Sequence, residues 1–377
     1  MKKILFRKIL YDCLIFFFIT LISLSLIIWV FQAVNFLDLM SEDGRDYLVY
    51  ASYSLLNFPK ILSRIMPFSI FFSFLYVISK YELNNELLIL WNFGINKIQF
   101  VNFILLFAIL LTILQILITS LIVPKSQNIG RSIIRSSNIN FFENFIKPKR
   151  FNDTIKGLTI YSEGKTEDGN LKNIYLKKNT GENNFQITYA KKGSLKNINN
   201  NQFLILYDGE TLSSANKKIS NFSFSSSDFS LKNLKTNTTT VIKTQETSTE
   251  DLIRCVEYLS KKKQQEALIL DNCKYENLDN VFKELYKRFI IPLYIPIIIL
   301  ISLLILMKSK ENINFYKYRI IIFLLGFSTI IFSETTIRFT SDNLNGNFKI
   351  IILPIIIFLL LYFVFLFQFK LKLLKHK

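Results

Sequence analysis

Few side chains in this chain could do covalent chemistry. The only histidine is His376. That removes most zinc sites, Ser-His-Asp triads and Cys-His dyads. Of the three cysteines, Cys13 opens an apolar run and reads as inert. Cys255 and Cys273 lie in a polar stretch. They could bridge if that stretch faces an oxidising space, but the expectation is that they stay unpaired. The run Gly164-Lys165-Thr166-Glu167-Asp168-Gly169-Asn170 has the glycine spacing of a phosphate loop. Asn170 stands where the lysine must be and no helix follows, so the run reads as a hairpin turn. The adjacent acids Glu42 and Asp43 read as a solvated loop and not as an acid/base pair. The chain is expected to be non-catalytic, with no metal and no cofactor of its own.

Spacing is more informative among the charged residues. Lys60 and Arg64 stand one helical turn apart near one end of an apolar run. Charge at that depth is costly unless paired or near headgroups. Two readings stay open: contact with lipid phosphates, or simple snorkelling of long side chains. Glu334 and Arg338 are also one turn apart and are expected to form an internal ion pair. The segment from Lys80 to Ile95 carries polar residues at its start, an apolar face (Leu87, Leu88, Leu90, Trp91) and Gly94 as a helix stop. It reads either as an interfacial helix or as a lever that offers a carboxylate to a partner.

These residues hang on six apolar runs, three on each side of a polar block. The runs are about Leu14 to Val34, Leu55 to Ser79, Phe100 to Val123, Phe289 to Met307, Ile320 to Ile337 and Ile350 to Phe369. Each is close to the ~20 residues a helix needs to cross ~30 Å of hydrocarbon. The first reads as an uncleaved span, because it is too long for a signal peptide and lacks a small-x-small cleavage site. Lys2, Lys3, Arg7, Lys8, Lys308, Lys310, Lys317, Arg319, Lys370, Lys372, Lys375 and Lys377 all fall on one side of such a bundle. That side is read as the cytoplasm. The acidic loop of Asp38, Glu42, Asp43 and Asp46, with Arg45, and the polar block fall outside. The net charge of +18 follows this topology and low-GC codon usage, which argues against a nucleic-acid surface.

Within the polar block, short alternating runs are separated by turn residues such as Asn179-Thr180-Gly181 and Asp208-Gly209. They predict a β-sandwich or jelly roll over about 150–234. Ile160, Tyr175, Ile187, Tyr189, Leu204 and Leu206 are its inward apolar candidates. Ser248-Thr249-Glu250-Asp251 fits a capping box, opening a helix from Asp251 to Lys263 in a helical connector over about 248–288. The fold class is an α+β membrane protein: helices 1–3 with a coupling helix (1–123, the helix about 81–93), an outer domain (124–288), and helices 4–6 with a basic tail (289–377).

Three patches resemble the LptF/LptG lipopolysaccharide export permease family. They are Trp29 to Asp38, Met66-Pro67 through Gly94-Ile95-Asn96, and Glu284-Leu285-Tyr286-Lys287-Arg288 with Pro292 beyond. The first patch leans toward the LptF branch. The resemblance implies an inner-membrane permease with both termini cytoplasmic and a periplasmic jelly roll. It would pair with an LptG-like permease, an LptB-like ATPase dimer that binds ATP and magnesium, and an LptC-like bridge, and would carry lipopolysaccharide. The family's coupling glutamate falls on Glu86, with Asn85 in place of serine; Glu82, Asn84, Asn85, Glu86, Leu87, Leu88, Leu90 and Gly94 form the implied ATPase-coupling set. Gln32, Asn35, Lys60 and Arg64 join the six strand residues as the implied lipid pathway. A basic residue common near the end of the first helix is replaced here by Ala33 or Asn35. Competing readings are an ion-coupled carrier, which would want mid-membrane acids, and a membrane-anchored scaffold or sensor with a periplasmic ligand-binding domain.

Overall fold

The computed structural model describes residues 2–37, 47–136, 148–155, 157–166, 170–179, 184–198, 201–215, 218–230, 242–260, 270, 272–341 and 344–371. Asp38, Glu42, Asp43, Arg45, Asp46, Glu167, Asp168, Gly169, Gly181, Lys263, His376 and the lysines 372, 375 and 377 lie outside the described residues. Two compact units emerge: a helical unit (Met1–Phe31, Leu55–Arg131, Ile242–Lys377) and a strand-bearing unit (Gln32–Ser54, Ser132–Val241).

Among the described residues, five α-helices precede the sheet. They are α1 (Lys2–Asn35), α2 (Tyr47–Leu83), α3 (Glu86–Asn92), α4 (Lys97–Leu117) and α5 (Val123–Ser136), the last two joined through a π-helical turn, Ile118–Ile122. Six strands follow: β1 (Phe151–Ile155), β2 (Leu158–Lys165), β3 (Leu171–Asn179), β4 (Phe185–Ile198), β5 (Asn201–Ala215) and β6 (Lys218–Ser230). Then come α6 (Thr249–Ser260), α7 (Leu278–Phe289), α8 (Tyr294–Leu303), α9 (Phe315–Thr335) and α10 (Leu344–Leu366). Among the described residues, six helical stretches are long and apolar enough to cross a membrane: Ile4–Asn35, Tyr47–Leu83, Lys97–Arg135, Tyr275–Met307, Phe315–Phe339 and Asn347–Phe369. They run past the apolar runs of the sequence, because a nucleated helix adds one hydrogen bond for each non-proline residue, polar or apolar.

The helical unit packs around α8, whose Ile297, Ile299 and Leu300 are fully buried. On α9, Gly326 leaves room for the Phe71 ring of α2; a Cβ there would lie 2.1 Å from that ring. Pro67 inside α2 has no N–H to offer the carbonyl of Ser63, four residues back. Gln115 of α4 fills the gap, donating Nε2 to Ser63 O at 2.7 Å. By contrast, α1, α9 and α10 leave large apolar side chains exposed, such as Phe31, Leu324 and Leu360. Such faces suit hydrocarbon or another apolar protein.

The six strands form one antiparallel sheet in strict chain order, the form the expected jelly-roll module takes here. One face carries a core of Leu158, Ile160, Leu171, Ile174, Leu176, Ala190, Leu204 and Leu206. Gly193 on β4 sits under Ile174, whose Cδ1 would be 2.2 Å from an added Cβ. Glycine there lets neighbouring side chains cross the strand closely.

In the connector, Asp251 N donates to Ser248 Oγ at 3.1 Å. This is the N-cap bond read from the sequence, and it opens α6. The cysteines correct the expectation of free thiols: Cys255 and Cys273 form a disulfide, with Cα atoms 5.7 Å apart. The chain turns back after α6, through Asn272 at φ 60°, and buries both cysteines beside Leu252, Leu259 and Val281. That fold-back is a tertiary event, and the 18-residue spacing gives no sign of it.

Candidate functional site

The short helix α3 is held between two left-handed residues, Asn85 at φ 63° and Gly94 at φ 73°. Asn and Gly are the residues that tolerate this conformation. At 100° per residue, Leu87 and Leu90 turn inward (0% and 5% exposed), while Leu88, Ile89 and Phe93 turn outward at 42%, 52% and 64%. The apolar face read from the sequence is therefore split. Leu88 stands apart from Leu87, Leu90 and Trp91 and joins two residues the sequence reading missed. Glu86 is half-buried at the start of α3 and accepts from Asn84 Nδ2 at 3.2 Å. Glu82 Oε1 accepts the backbone N–H of Lys310 at 3.3 Å. Lys310 Nζ in turn donates to Leu83 O at 3.0 Å.

At the other end of α2 lies a cavity of about 510 Å³. Lys60, Arg64, Lys287 and Arg288 line it, with the acids Glu284 and Glu334. Lys60 and Arg64 share one face of α2, as residues four apart do. Lys60 Nζ donates to Gln245 Oε1 at 3.2 Å, and Arg64 is exposed to the cavity. Arg288, only 1% exposed, is engaged through all three of its guanidinium nitrogens. Its Nε pairs with Glu284 Oε1 at 3.2 Å, its Nη1 donates to Thr249 Oγ1 at 2.9 Å, and its Nη2 donates to the carbonyls of Gln245 and Thr247 at 3.2 and 3.1 Å. Arg131 of α5 pairs with the buried Glu246 at 3.1 Å. These two arginines fix the segment from Gln245 to Thr249 against the ends of α5 and α7. Two buried amide oxygens on the cavity wall, Gln115 Oε1 and Gln127 Oε1, have no hydrogen-bond partner among the described residues.

The chain matches the family described as lipopolysaccharide export system permease LptF/LptG over residues 7–368. The chain belongs to that family. It is also 25% identical, over 187 residues, to an uncharacterised protein of Rickettsia prowazekii (strain Madrid E). That match covers 50% of this chain and 52% of the relative, so the chain spans about half the length of the curated relative it matches.

The family patches now have structural counterparts in this LptF/LptG chain. Glu284 and the buried Arg288 of the third patch are an ion pair beside the cavity. Pro67 of the second is the residue whose missing N–H Gln115 replaces. Gln32 is half-buried and Asn35 exposed at the end of α1, and Ala33 O accepts from Tyr50 Oη at 3.1 Å.

The strand set divides. Ile160, Leu204 and Leu206 are buried in the core face. Tyr175, Ile187 and Tyr189 are corrections. Tyr175 and Ile187 are only partly buried and Tyr189 is 47% exposed, while Ile174, Leu176, Thr188 and Ala190 take the inward positions. A strand's side chains alternate between faces, and on β4 the small Thr188 and Ala190 go inward where space is tight. Tyr175 is paired with Tyr189 across β3 and β4, and Phe151 lies 6.3 Å from Tyr175. Those rings line the opposite face.

Glu334 and Arg338 are a further correction: both are exposed, and their pair is not among the ion pairs of the described residues. The helix tightens to a 3₁₀ turn, Thr336–Phe339, after α9. At three residues per turn, positions four apart no longer share a face. The sequence reading also missed Gln115 and Gln127 as cavity residues. Their signal was two amides in or beside an otherwise apolar span.

Proposed function

We propose that this chain is the membrane half of an ABC-type exporter that draws lipopolysaccharide from the inner membrane. In this reading it pairs with a second permease of the same family, the basic loops and tail face the cytoplasm, and the strand-bearing unit faces the periplasm. The first-helix patch favours the LptF side of the pair. The observation that carries the reading is α3: two helical turns pinned by Leu87 and Leu90, with Leu88, Ile89 and Phe93 exposed beside Glu86. An apolar patch with a carboxylate at its edge, in a short loop between spans, suits docking into a soluble ATPase that supplies ATP and magnesium. The Cys255–Cys273 bridge supports an oxidising compartment for the polar block.

Extraction exposes many acyl methylenes, each worth about 0.8 kcal/mol. The work is lowered by an apolar path and given direction by ATP. The cavity of Lys60 and Arg64 suits the phosphates of such a lipid, and the unpartnered oxygens of Gln115 and Gln127 suit donors such as sugar hydroxyls. In the strand-bearing unit, Ile160, Leu204 and Leu206 belong to an apolar face that is closed here and would have to open for onward transfer to an LptC-like bridge.

The test is Glu86→Lys in the full complex. The variant chain is expected to insert normally, yet to lose co-purification with the ATPase and to lose export. Unchanged export by this variant would remove α3 as the lever.

A further inference from the structure

Lys97, the first residue of α4, was not among the residues the sequence singled out. Its ammonium does not point to open water. It donates to Leu306 O at 2.9 Å, in the 3₁₀ turn Leu304–Met307 that closes the span of α8. It also lies 5.6 Å from the centroid of the Trp91 ring and 5.5 Å from that of Phe369. One cation therefore joins α3, the end of the fourth span and the end of the sixth. Trp91 is seated in turn: its ring meets Phe100 edge-on at 6.1 Å, and Phe100 is fully buried. The link is directional, because a cation over a π face and a cation at a helix C-terminus both weaken when the ring or carbonyl swings away.

We infer that Lys97 is a positioning residue that carries displacement of α3 into the fourth and sixth spans. Asn85 and Gly94 bound α3 with left-handed backbone, which sets its seven residues apart from α2 and α4 as a separate unit. When the outward face of Leu88, Ile89 and Phe93 is pushed, Trp91 moves with it. Lys97 then transmits that movement to Leu306 and Phe369. This inference rests on the proposed role of α3 as the ATPase lever.

The experiment uses the full reconstituted complex and compares Lys97→Met, Lys97→Arg and Glu86→Lys. Met keeps the apolar stem but loses the charge. Lys97→Met is expected to keep ATPase binding and hydrolysis while lipid released per ATP falls about tenfold, as loss of a charge-assisted bond and two cation–π contacts implies. Lys97→Arg is expected to restore most of that ratio. An unchanged ratio, or parallel loss of binding and hydrolysis, overturns the relay. If Lys97→Met does not insert, Trp91→Leu is read by the same ratio. A fluorotryptophan at Trp91, in a Trp29→Phe background, is further expected to shift its ¹⁹F resonance between nucleotide-free and ATP-bound complexes; a resonance that stays put also overturns the relay. Normal ATPase binding and export by Glu86→Lys would sink the lever itself. Loss of both in Glu86→Lys, with an unchanged ratio in Lys97→Met, sinks only the relay.

Discussion

Lys60 and Lys97 are both half-buried lysines at the ends of one helical bundle, yet they are used differently. Around Lys97 the partners are fixed: a carbonyl at a span's end and two aromatic rings. Around Lys60 the direct partner is one amide oxygen, and beyond it lies a cavity shared with Arg64, Lys287 and two unpartnered amide oxygens. A cation whose surroundings are complete holds structure together. One that faces a cavity has interactions left for a ligand. Arg288 sharpens the contrast, because it borders the same cavity but is consumed by Glu284, Thr249 and two carbonyls.

The largest expected effect comes from breaking the engaged side. Arg288→Met leaves Glu284 and the carbonyls of Gln245 and Thr247 without their donor, and is expected to cost about 3–5 kcal/mol. Thermal unfolding in detergent measures it, and a loss below about 1 kcal/mol would mean that Arg288 is not the clamp described. Next is the bridge that ties α6 back to α7. Reducing Cys255–Cys273 frees a loop of 18 residues, worth about 3 kcal/mol in chain entropy. Hydrogen exchange is expected to rise in α6 first, and uniform exchange would argue against a local role.

Gly326→Val drives a side chain into the Phe71 ring and is expected to destabilise by about 1–3 kcal/mol, again read by unfolding. The double substitution Lys60→Gln and Arg64→Gln is the sharpest comparison. It is expected to move stability by no more than about 1 kcal/mol, while lipid-stimulated ATP hydrolysis by the complex falls. Unchanged stimulation would return these cations to snorkelling. Gly94→Ala has the most local effect: the left-handed backbone costs about 1–2 kcal/mol, detectable as fraying of α3 by hydrogen exchange.

The six spans, the strand module and the short helix between the second and third spans were legible because each follows from a local pattern. Hydrocarbon demands long apolar helices, alternation marks strands, and Gly94 marks a stop. Glu86, Lys60 and Arg64 were legible as charges in unusual settings. What was misread depends on facing. Leu88 is turned about 100° round α3 from Leu87 and faces outward; a seven-residue helix that is apolar nearly all round gives periodicity little to work with. Tyr175, Ile187 and Tyr189 read as inward apolar candidates from the sequence, whereas strand register sends the small Thr188 and Ala190 inward instead.

The amino-acid order by itself determined the 3 + 3 division, the polar insert and the family, since hydropathy and short motifs are properties of neighbours in the chain. Only the tertiary structure decided that Cys255 meets Cys273, that Gln115 answers for Pro67, that Arg288 is spent while Lys60 and Arg64 face a cavity, and that Lys97 links three elements. Most of those contacts join residues far apart in the chain, as many as 272 positions for Lys97 and Phe369. Whether such groups meet is set by how helices pack and where the chain turns back, which no local pattern encodes.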